Sequence, residues 1–339
     1  MIYENESIMK QPRFIVLGAN SFSGAFFCDF LLQKGYDVIA TSRSAQSHPA
    51  FLPYLWQVRS GNLQFVKIDI NHDLDTLKIL LAKEKPSHVI NFAAQSMVGE
   101  SWVYPEHWMM TNVVSTMRLY ELLRHYDGLD RYVHVTTPEV YGSTEGWVKE
   151  EGPYNPSTPY AVSRAAGDMN LITYIQQYHF PAVMTRAANV YGPGQQLYRI
   201  IPRTIFAAMT GQKLRLDGGG NSVRVFIHMH DVADATLKIA LNGTNGQCYH
   251  ISGYELVSIR RVVETILQSL NKSFEEFVEI TPERPGKDTA YKLDSFKLRT
   301  ELAWQDKISL IDGVQQTVDW MRKFEKDLPH LPYKYEHKA

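Results

Sequence analysis

Short apolar segments alternate with longer segments of helical periodicity along the first half of the chain. Apolar runs of about five residues are typical of strands that are buried on both faces of a parallel sheet. They predict strands at 14–18, 37–41, 65–69, 88–92, 132–136 and 182–186. Helical spacing of apolar positions predicts helices at 25–34, 75–83, 106–125 and 160–178. Strands and helices in this order predict an α/β fold with a doubly wound parallel sheet.

The pattern changes after residue 186. Glycine, proline and glutamine interrupt shorter elements, which we predict as helices at 201–210, 231–241, 259–269 and 308–324 and a strand at 225–228. We therefore predict a first domain at 12–186. Residues 187–339 are predicted to form mainly a smaller C-terminal lobe, with some segments that return to the first domain. The final residues, 329–339, are predicted to form an irregular tail.

Composition narrows the class of protein. The 339 residues are 44% hydrophobic and 21% charged, with a net charge of −1, which is typical of a soluble globular protein. Such a balance gives no global attraction to nucleic acid or to an anionic membrane. No apolar leader or membrane-length apolar run occurs, so we expect a cytoplasmic protein. Cys28 and Cys248 lie in apolar segments and are predicted to be buried free thiols.

A glycine-containing turn joins the first strand to its helix, in the pattern Gly18-x-x-Ser21-x-x-Gly24. Such a turn lets a pyrophosphate approach the helix N-terminus, where free N–H groups favour anions. Ser21 stands where a Cβ crowds the phosphate, although its hydroxyl can itself donate to it. The pattern favours a dinucleotide site over a plain tight turn. The residues assigned to it are Gly18, Asn20, Ser21, Phe22, Ser23 and Gly24.

The ends of the next strands extend this predicted site. Ser42, Arg43 and Ser44 follow the second strand, where an acidic residue would hold the 2′-hydroxyl of NAD. Arginine and serine instead suit a 2′-phosphate, so we predict NADP, with NAD or an ordinary surface arginine as the alternatives. Asp69 can accept a hydrogen bond from an adenine amino group. The remaining predicted cofactor contacts are Ile70, Ala93, Ala94 and Gln95. Ser96 faces the same crevice.

Tyr160 and Arg164 are four residues apart in a predicted helix and therefore share one face. A permanent cation stabilises phenolate, so we expect the pKa of Tyr160 to be lowered. The phenol can then exchange a proton with a sugar hydroxyl while a hydride leaves the same carbon. Thr137 and Glu139 leave the fifth strand at the same sheet edge. Thr137 can hydrogen-bond a substrate hydroxyl, and Glu139 can act as a base if it is partly desolvated.

Several separated arginines follow the sixth strand, although the chain as a whole is nearly neutral. They are consistent with binding of a second diphosphate, that of a nucleotide sugar, although scattered surface arginines are the simpler alternative. The predicted substrate-binding residues are Ser96, Asn189, Arg199, Arg203, Arg224 and Arg284. The twelve histidines show no metal-ligand spacing, so no metal site is predicted.

These motifs, in this order from Gly18 to about Trp304, resemble the extended short-chain dehydrogenase/reductase family. They are most similar to nucleotide-sugar 4,6-dehydratases of the dTDP-glucose and GDP-mannose kinds. The resemblance implies that Tyr160 is the catalytic acid/base, with Arg164 in place of the family's lysine. It further implies that Thr137 orients the 4-hydroxyl, that Glu139 removes the C5 proton, and that Asn189, Arg224 and Arg284 hold the sugar diphosphate.

Three positions depart from the family pattern: Ser21 replaces a glycine, Arg164 replaces lysine, and Pro138 stands where dehydratases carry aspartate or serine. Proline has no proton to give to a leaving hydroxyl. The nucleotide base stays open, because 93–96 and 43–44 are similar to the GDP-mannose enzymes, whereas 199–202 and 284–288 are similar to the dTDP-glucose enzymes.

The resemblance implies conversion of an NDP-hexose to an NDP-4-keto-6-deoxyhexose by internal hydride transfer through a bound nicotinamide cofactor. A C4 epimerase, a C4 reductase or a decarboxylase of the same family is the alternative. An inactive NADP-binding sensor or scaffold is an alternative of a different class. Because the family pairs through two long helices, here 106–125 and 160–178, we also expect a homodimer.

Overall fold

The computed structural model of the protein describes residues 11–282 and 292–338. The strands, in chain order, are β1 (Phe14–Leu17), β2 (Val38–Ser42), β3 (Leu63–Lys67), β4 (His88–Asn91), β5 (Arg131–Val135), β6 (Trp147–Val148), β7 (Ala182–Ala187), β8 (Asn189–Tyr191), β9 (Leu214–Asp217), β10 (Val223–His228), β11 (Cys248–Ile251), β12 (Leu256–Ser258), β13 (Val278–Thr281) and β14 (Lys292–Leu293).

The α-helices alternate with these strands in the first half of the chain. They are α1 (Phe22–Gln33), α2 (Leu74–Glu84), α3 (Val98–Ser101), α4 (Pro105–Met109), α5 (Thr116–Leu123), α6 (Pro159–Tyr178), α7 (Ile200–Thr210), α8 (Met229–Asn242), α9 (Ile259–Ser269), α10 (Phe274–Phe277), α11 (Phe296–Glu301) and α12 (Leu310–Lys323). The predicted helix at 106–125 is confirmed but is not uniform, because Met110–Ser115 between α4 and α5 is π-helical.

Seven parallel strands form the central sheet in the order β3-β2-β1-β4-β5-β7-β11. The predicted α/β fold with a doubly wound sheet is therefore confirmed. The strand order reverses direction between β1 and β4, and a crevice forms at the carboxyl ends of strands where such a reversal occurs. The seventh strand, β11, comes from the second half of the chain and pairs with β7.

Both faces of the central sheet are covered, which explains the continuous apolar runs. Side chains alternate along β1: Phe14 and Val16 pack on one face, whereas Ile15 and Leu17 pack on the other. The first face contacts α1 and also α8, a helix from beyond residue 187. Segments of the second half thus belong to the core of the first domain, and the boundary at residue 186 stays a prediction.

The smaller lobe lies at the carboxyl edge of the sheet. In it, β10 pairs with β8 in parallel and with β12 in antiparallel fashion. Helices α7, α9 and α12 enclose a second core, whose buried members include Ile201, Ile205, Val262, Ile266, Val314 and Val318. This packing holds α7 and the residues before it opposite the ends of β1, β4 and β5. Among the described residues, no helix is long and apolar enough to cross a membrane.

Candidate active site

Two adjoining cavities lie in the crevice at the carboxyl ends of the strands. The smaller has a volume of about 260 Å³ and extends from the Gly18 turn along the ends of β2 and β3. The larger, of about 750 Å³, extends from the same turn past β5 and α6 to the smaller lobe. Five residues line both cavities: Ser21, Arg43, Phe92, Ala94 and Gln95. One ligand can therefore pass continuously from the first cavity into the second.

The turn after β1 requires glycine at both of its ends. Gly18 has a φ of +85°, and a Cβ there would lie 2.7 Å from the backbone nitrogen of Ala93. A Cβ at Gly24 would lie 2.9 Å from the Ser21 Oγ and still closer to the Gly18 carbonyl oxygen. The turn therefore brings the N-terminus of α1 against the ends of β1 and β4, as a phosphate-binding turn must.

Ser21 is the N-cap of α1 rather than a free phosphate donor. Its Oγ accepts a hydrogen bond from the Gly24 backbone N–H at 3.1 Å and donates to the Gly18 carbonyl at 2.7 Å. The expectation that this hydroxyl donates to a phosphate is corrected, because its proton already serves the turn. The next two residues, Phe22 and Ser23, line the larger cavity.

The end of β2 is joined directly to the glycine turn. The Asn20 side-chain amide donates to the Ala45 carbonyl at 2.7 Å and to the Ser44 Oγ at 3.2 Å. Ser42, Arg43 and Ser44 all line the smaller cavity. Asn20 thus acts in the structure as a bridge that fixes the loop carrying Arg43.

Asp69 and Ile70, after β3, line the far side of the smaller cavity. One carboxylate oxygen of Asp69 accepts a hydrogen bond from the backbone N–H of Asn71 at 2.8 Å. Its second oxygen still has lone pairs to accept from a ligand. Asp69, Ile70 and Asn71 therefore form the wall of the smaller cavity opposite the Gly18 turn.

The loop after β4 carries Ala93, Ala94 and Gln95 along the cavities, and Ser96 lines only the larger one. Asn112, in the π-helical segment, clamps Gln95: it accepts from the Gln95 N–H and donates to the Gln95 carbonyl, each at 2.9 Å. The Gln95 side chain does not point at open space. Its Nε2 donates to the backbone carbonyl of Lys338 at 2.7 Å.

Tyr160 and Arg164 lie on the first turns of α6, whose N-cap is Thr158 and whose first residue is Pro159. Both side chains are buried, with 9% and 3% exposure, yet both line the larger cavity. Thr137 follows β5 and hydrogen-bonds the Tyr160 phenol. Glu139 lines the same cavity one residue beyond Pro138. The structure therefore brings the four predicted catalytic side chains together.

The pKa of Tyr160 is raised, which contradicts the expectation of a lowered one. Burial is the largest cause, and the negative charge of Glu139 acts in the same direction. The Arg164 cation and the Thr137 hydrogen bond oppose both but do not outweigh them. The Arg164 guanidinium donates to the Val135 backbone carbonyl at the end of β5, so it is positioned by the sheet as well as by its helix.

A buried charge network lies below Arg164, on the same helix and the adjacent strands. Asp168 pairs with Arg186 at 2.8 Å and lies 3.3 Å from His134, and all three side chains are almost fully buried. Burial by itself would raise the pKa of Asp168. The His134 hydrogen bond and the Arg186 and Arg164 cations outweigh burial and lower that pKa to about 2. Asp168 therefore stays ionised and balances the buried cations around the catalytic helix.

The predicted substrate residues separate into three groups. Asn189, Arg199 and Arg224 line the larger cavity together with Ser96. Arg203 lines neither cavity, and its guanidinium donates to the Arg215 carbonyl at 3.2 Å. Its side chain therefore reaches β9 and not the crevice. Arg284, with the rest of the predicted motif at 284–288, lies outside the described residues.

Several residues of the crevice were not identified from the sequence. Asn112 lies inside a predicted helix, and only its tertiary contacts give it a role. Tyr198 and Tyr335 flank the larger cavity, with ring centroids 5.8 Å apart. Lys338 lines the smaller cavity but is 243 residues from Gln95 in sequence. A tail without periodicity gives no signal that it returns to a site at the opposite end of the chain.

Both cysteines are free and buried, as predicted. Within residues 11–282 and 292–338, no group of histidine, cysteine and acidic side chains is arranged to hold a metal ion. His228 accepts from the His230 N–H and caps α8. The side chains that line the larger cavity include a phenol, a carboxylate, hydroxyls and cations.

Comparison with known proteins agrees with this geometry. The family model described as GDP-mannose 4,6 dehydratase matches residues 15–317. A dTDP-glucose 4,6-dehydratase from Streptomyces niveus is 35% identical over 262 residues, which cover 77% of this chain and 76% of that protein.

Two solved structures have similar folds. DesIV, a dTDP-glucose 4,6-dehydratase from Streptomyces venezuelae with NAD and TYD bound, has a TM-score of 0.83 and 32% identity over 93% of this chain and 98% of its own. A UDP-glucuronic acid 4-epimerase from Bacillus cereus, in complex with UDP-glucuronic acid and NAD, has a TM-score of 0.82 and 26% identity over 92% and 99%. Since the family model spans most of the chain, the protein belongs to the GDP-mannose 4,6 dehydratase family, a family of nucleotide-sugar 4,6-dehydratases.

Proposed function

We propose that the protein is a nucleotide-sugar 4,6-dehydratase that converts an NDP-hexose to an NDP-4-keto-6-deoxyhexose. The observation that carries the proposal is the meeting of Tyr160, Thr137 and Glu139 in a cavity that adjoins the Gly18 turn. A carbonyl-forming step needs a proton acceptor beside a hydride acceptor, and an elimination needs a second base. The cleft offers both groups on one wall.

The residues of the smaller cavity fit a nicotinamide dinucleotide. Glycine at position 18 keeps clear the space that a Cβ would fill, and the N-terminus of α1 faces the crevice. The smaller cavity extends along Arg43 and Asp69 at the ends of β2 and β3. At its other end it joins the larger cavity, which Tyr160 lines. A bound nicotinamide ring supplies a hydride acceptor for C4 and, once reduced, the hydride that C6 receives.

The protein's own side chains manage the protons. Tyr160 accepts the 4-hydroxyl proton while Thr137 holds that hydroxyl, and the resulting 4-ketone acidifies C5. Glu139 removes the C5 proton, after which water leaves from C6. Two protons are taken, by Tyr160 from the 4-hydroxyl and by Glu139 from C5. Two are given: one leaves with the C6 hydroxyl as water, and the proton that Tyr160 releases, directly or through solvent, balances the one that returns to C5. Because Pro138 has no proton to give, we assign the protonation of the leaving group to Glu139.

We propose NADP as the cofactor, with Arg43 as the residue that selects it. Arg43, Ser42 and Ser44 line the smaller cavity, and no carboxylate follows β2 to hold a ribose 2′-hydroxyl. An Arg–phosphate contact is charge-assisted, so Arg43→Ala should weaken NADP⁺ binding by about 10-fold or more and leave NAD⁺ binding nearly unchanged. Titration of both dinucleotides tests this, and equal losses for the two would contradict it.

The reaction itself is tested by product mass. The protein is incubated with dTDP-, GDP-, CDP- and UDP-hexoses, and a product lighter by one water supports dehydration. Tyr160→Phe should abolish hydride transfer and retain cofactor affinity. Tyr178→Phe, at the far end of the same helix, is the matched control and should leave turnover unchanged. Full turnover by Tyr160→Phe would refute its assigned role.

A C4 epimerase is the second candidate, and Pro138 is the observation that favours it. An epimerase needs the Tyr160 proton acceptor but no acid for a leaving group. In the same assay it would give a product of unchanged mass and altered retention. A reductase would consume reduced cofactor, a decarboxylase would release carbon dioxide, and a sensor or scaffold would leave every substrate unchanged.

We further propose that two copies of the chain pair through the helical layer that contains α4, α5 and α6. This layer carries exposed apolar side chains at Met110, Met117, Val162 and Met169. Such a face on two long adjacent helices suits a second copy of the same face. Light scattering after size exclusion should give twice the chain mass. A monomer at micromolar concentration would contradict the proposal. The cytoplasmic location of the protein also stays a prediction.

A further inference from the structure

The last described residues of the chain cross both cavities. We call residues 333–338 the C-terminal strap. It begins two residues after Leu331, which is buried in the core of the smaller lobe. Tyr335 of the strap lines the larger cavity, and Lys338 lines the smaller one. The strap therefore connects the lobe that faces the substrate to the domain that carries the Gly18 turn.

Aromatic contacts fix the strap on the smaller lobe. The Tyr333 ring stacks on Phe206 of α7, with centroids 6.4 Å apart and an interplanar angle of 11°. The Tyr335 ring meets Tyr198 edge to face at 5.8 Å and 84°. Such pairs contribute beyond their buried area, so the strap has a defined path there.

Ring stacking and hydrogen bonds fix its other end on the first domain. The His337 ring stacks on Tyr104 at 4.9 Å and on Trp108 at 5.1 Å. A hydrogen bond of 2.8 Å joins the His107 Nδ1 to the His337 Nε2. The Gln95 side chain then donates to the Lys338 carbonyl. Gln95 is buried and lines both cavities, so this hydrogen bond joins the strap directly to the lining of the crevice.

We infer that the C-terminal strap is part of the dinucleotide site and that the Lys338 ammonium binds a phosphate of the bound cofactor. This inference rests on the proposed function. The charged residues that line the smaller cavity are Arg43, Lys338 and Asp69, so two cations face one carboxylate. That balance favours an anion, and the Gln95 contact holds the Lys338 backbone at the cavity's edge.

A strap across the cofactor agrees with the proposed chemistry. Hydride is taken from C4 and returned to C6 of the same sugar, so the cofactor has no need to leave between turnovers. An enzyme that exchanged oxidised for reduced cofactor in each cycle would be slowed by such a closure. Here slow release of the dinucleotide protects the reduced form while the elimination proceeds.

The test uses the full chain and measures release of NADPH and NADH by stopped-flow fluorescence after mixing with excess unlabelled dinucleotide. Lys338→Ala removes the cation but leaves the backbone contact with Gln95. His337→Ala removes the stacking, and a chain that ends at Pro332 removes the whole strap. Lys334→Ala is the matched control, because Lys334 is an exposed strap cation that lines neither cavity.

We expect Lys338→Ala to accelerate release about 5-fold at low salt, with a smaller effect at high salt. Truncation should accelerate release about 10-fold or more, and Lys334→Ala should have no effect. Equal effects on NADPH and NADH place Lys338 on the pyrophosphate, whereas an effect on NADPH alone places it on the 2′-phosphate. Unchanged release in the truncated chain overturns the strap but not the dehydratase. Failure of the wild-type chain to bind either dinucleotide overturns both.

Discussion

Replacement of Glu139 by glutamine should affect the two halves of the proposed reaction in opposite directions. The Glu139 charge raises the pKa of Tyr160, second only to burial and ahead of the opposing effect of Arg164. Glutamine keeps the shape of the side chain and removes the charge. The phenolate then becomes easier to form, so the oxidation of C4 should become possible at lower pH. The C5 proton, however, loses its acceptor.

The magnitude follows from Coulomb's law. Two unit charges about 4 Å apart at an effective dielectric near 20 interact with about 4 kcal/mol, and this energy falls in inverse proportion to their separation. The cleft is open to solvent, which screens part of this energy, and removal of the Glu139 charge should lower the pKa of Tyr160. Below the midpoint, the phenolate fraction and the rate of hydride transfer should rise, by about 10-fold for each 1.4 kcal/mol of charge repulsion that is removed. Loss of the base should lower overall turnover by about 100- to 10,000-fold.

Single-turnover stopped flow separates these effects. Reduced nicotinamide is followed by its near-ultraviolet absorbance across a pH series, and product is followed by mass. Glu139→Gln should accumulate reduced cofactor and stall, with the pH midpoint of that phase shifted downward. Glu145→Gln is the control, because Glu145 is an exposed carboxylate on the same connection between β5 and α6. An unchanged midpoint in Glu139→Gln, or the same shift in Glu145→Gln, would refute the reasoning.

Further predictions concern the residues around this centre. Arg164→Met should raise the pKa of Tyr160 further and slow hydride transfer about 10-fold or more. Arg164→Lys keeps the positive charge and should restore the pH profile of hydride transfer. Equal pH profiles for the two variants would argue against a charge effect. Asp168→Asn leaves Arg186 buried without its partner and should lower the free energy of unfolding in urea by about 3–5 kcal/mol. Because the pKa of Asp168 is lowered to about 2 from 3.8, the wild-type chain should lose about 2 kcal/mol of stability as pH falls from about 4 to 2, and the variant should lose less. Gly24→Ala should weaken dinucleotide binding about 10-fold or more through the clash with the Gly18 carbonyl, whereas Gly99→Ala, which has open space, should bind normally in the same titration.

Much of the site could be predicted because its residues follow strand ends. The carboxyl ends of parallel strands meet at one edge, so Gly18, Arg43, Asp69 and Thr137 had to approach one another once the strands were identified. The spacing of Tyr160 and Arg164 likewise fixed their common helix face. What spacing could not give was the balance of charges around the phenol. That balance depends on burial and on Glu139, which reaches the phenol only through the tertiary fold.

The second half of the chain shows the limit more clearly. The helix at 259–269 was predicted with its observed bounds, since its apolar positions have a regular period. The strand β11 was not predicted, because four residues carry no period that assigns them to a sheet begun more than a hundred residues earlier. The same holds for the strap: a hydrogen bond between Gln95 and Lys338 spans 243 residues and leaves no local pattern.

The sequence by itself determined six strands of the central sheet and the helices between them, the glycine turn and the chemical groups available to the crevice, because each depends on local periodicity or on residue type. The tertiary structure alone decided which of those groups share a cavity. It also decided that burial outweighs Arg164 in setting the pKa of Tyr160, and that the tail closes over the site. Electrostatic energies and long-range contacts depend on distance in space and on exclusion of water, neither of which is encoded in any short stretch of the chain.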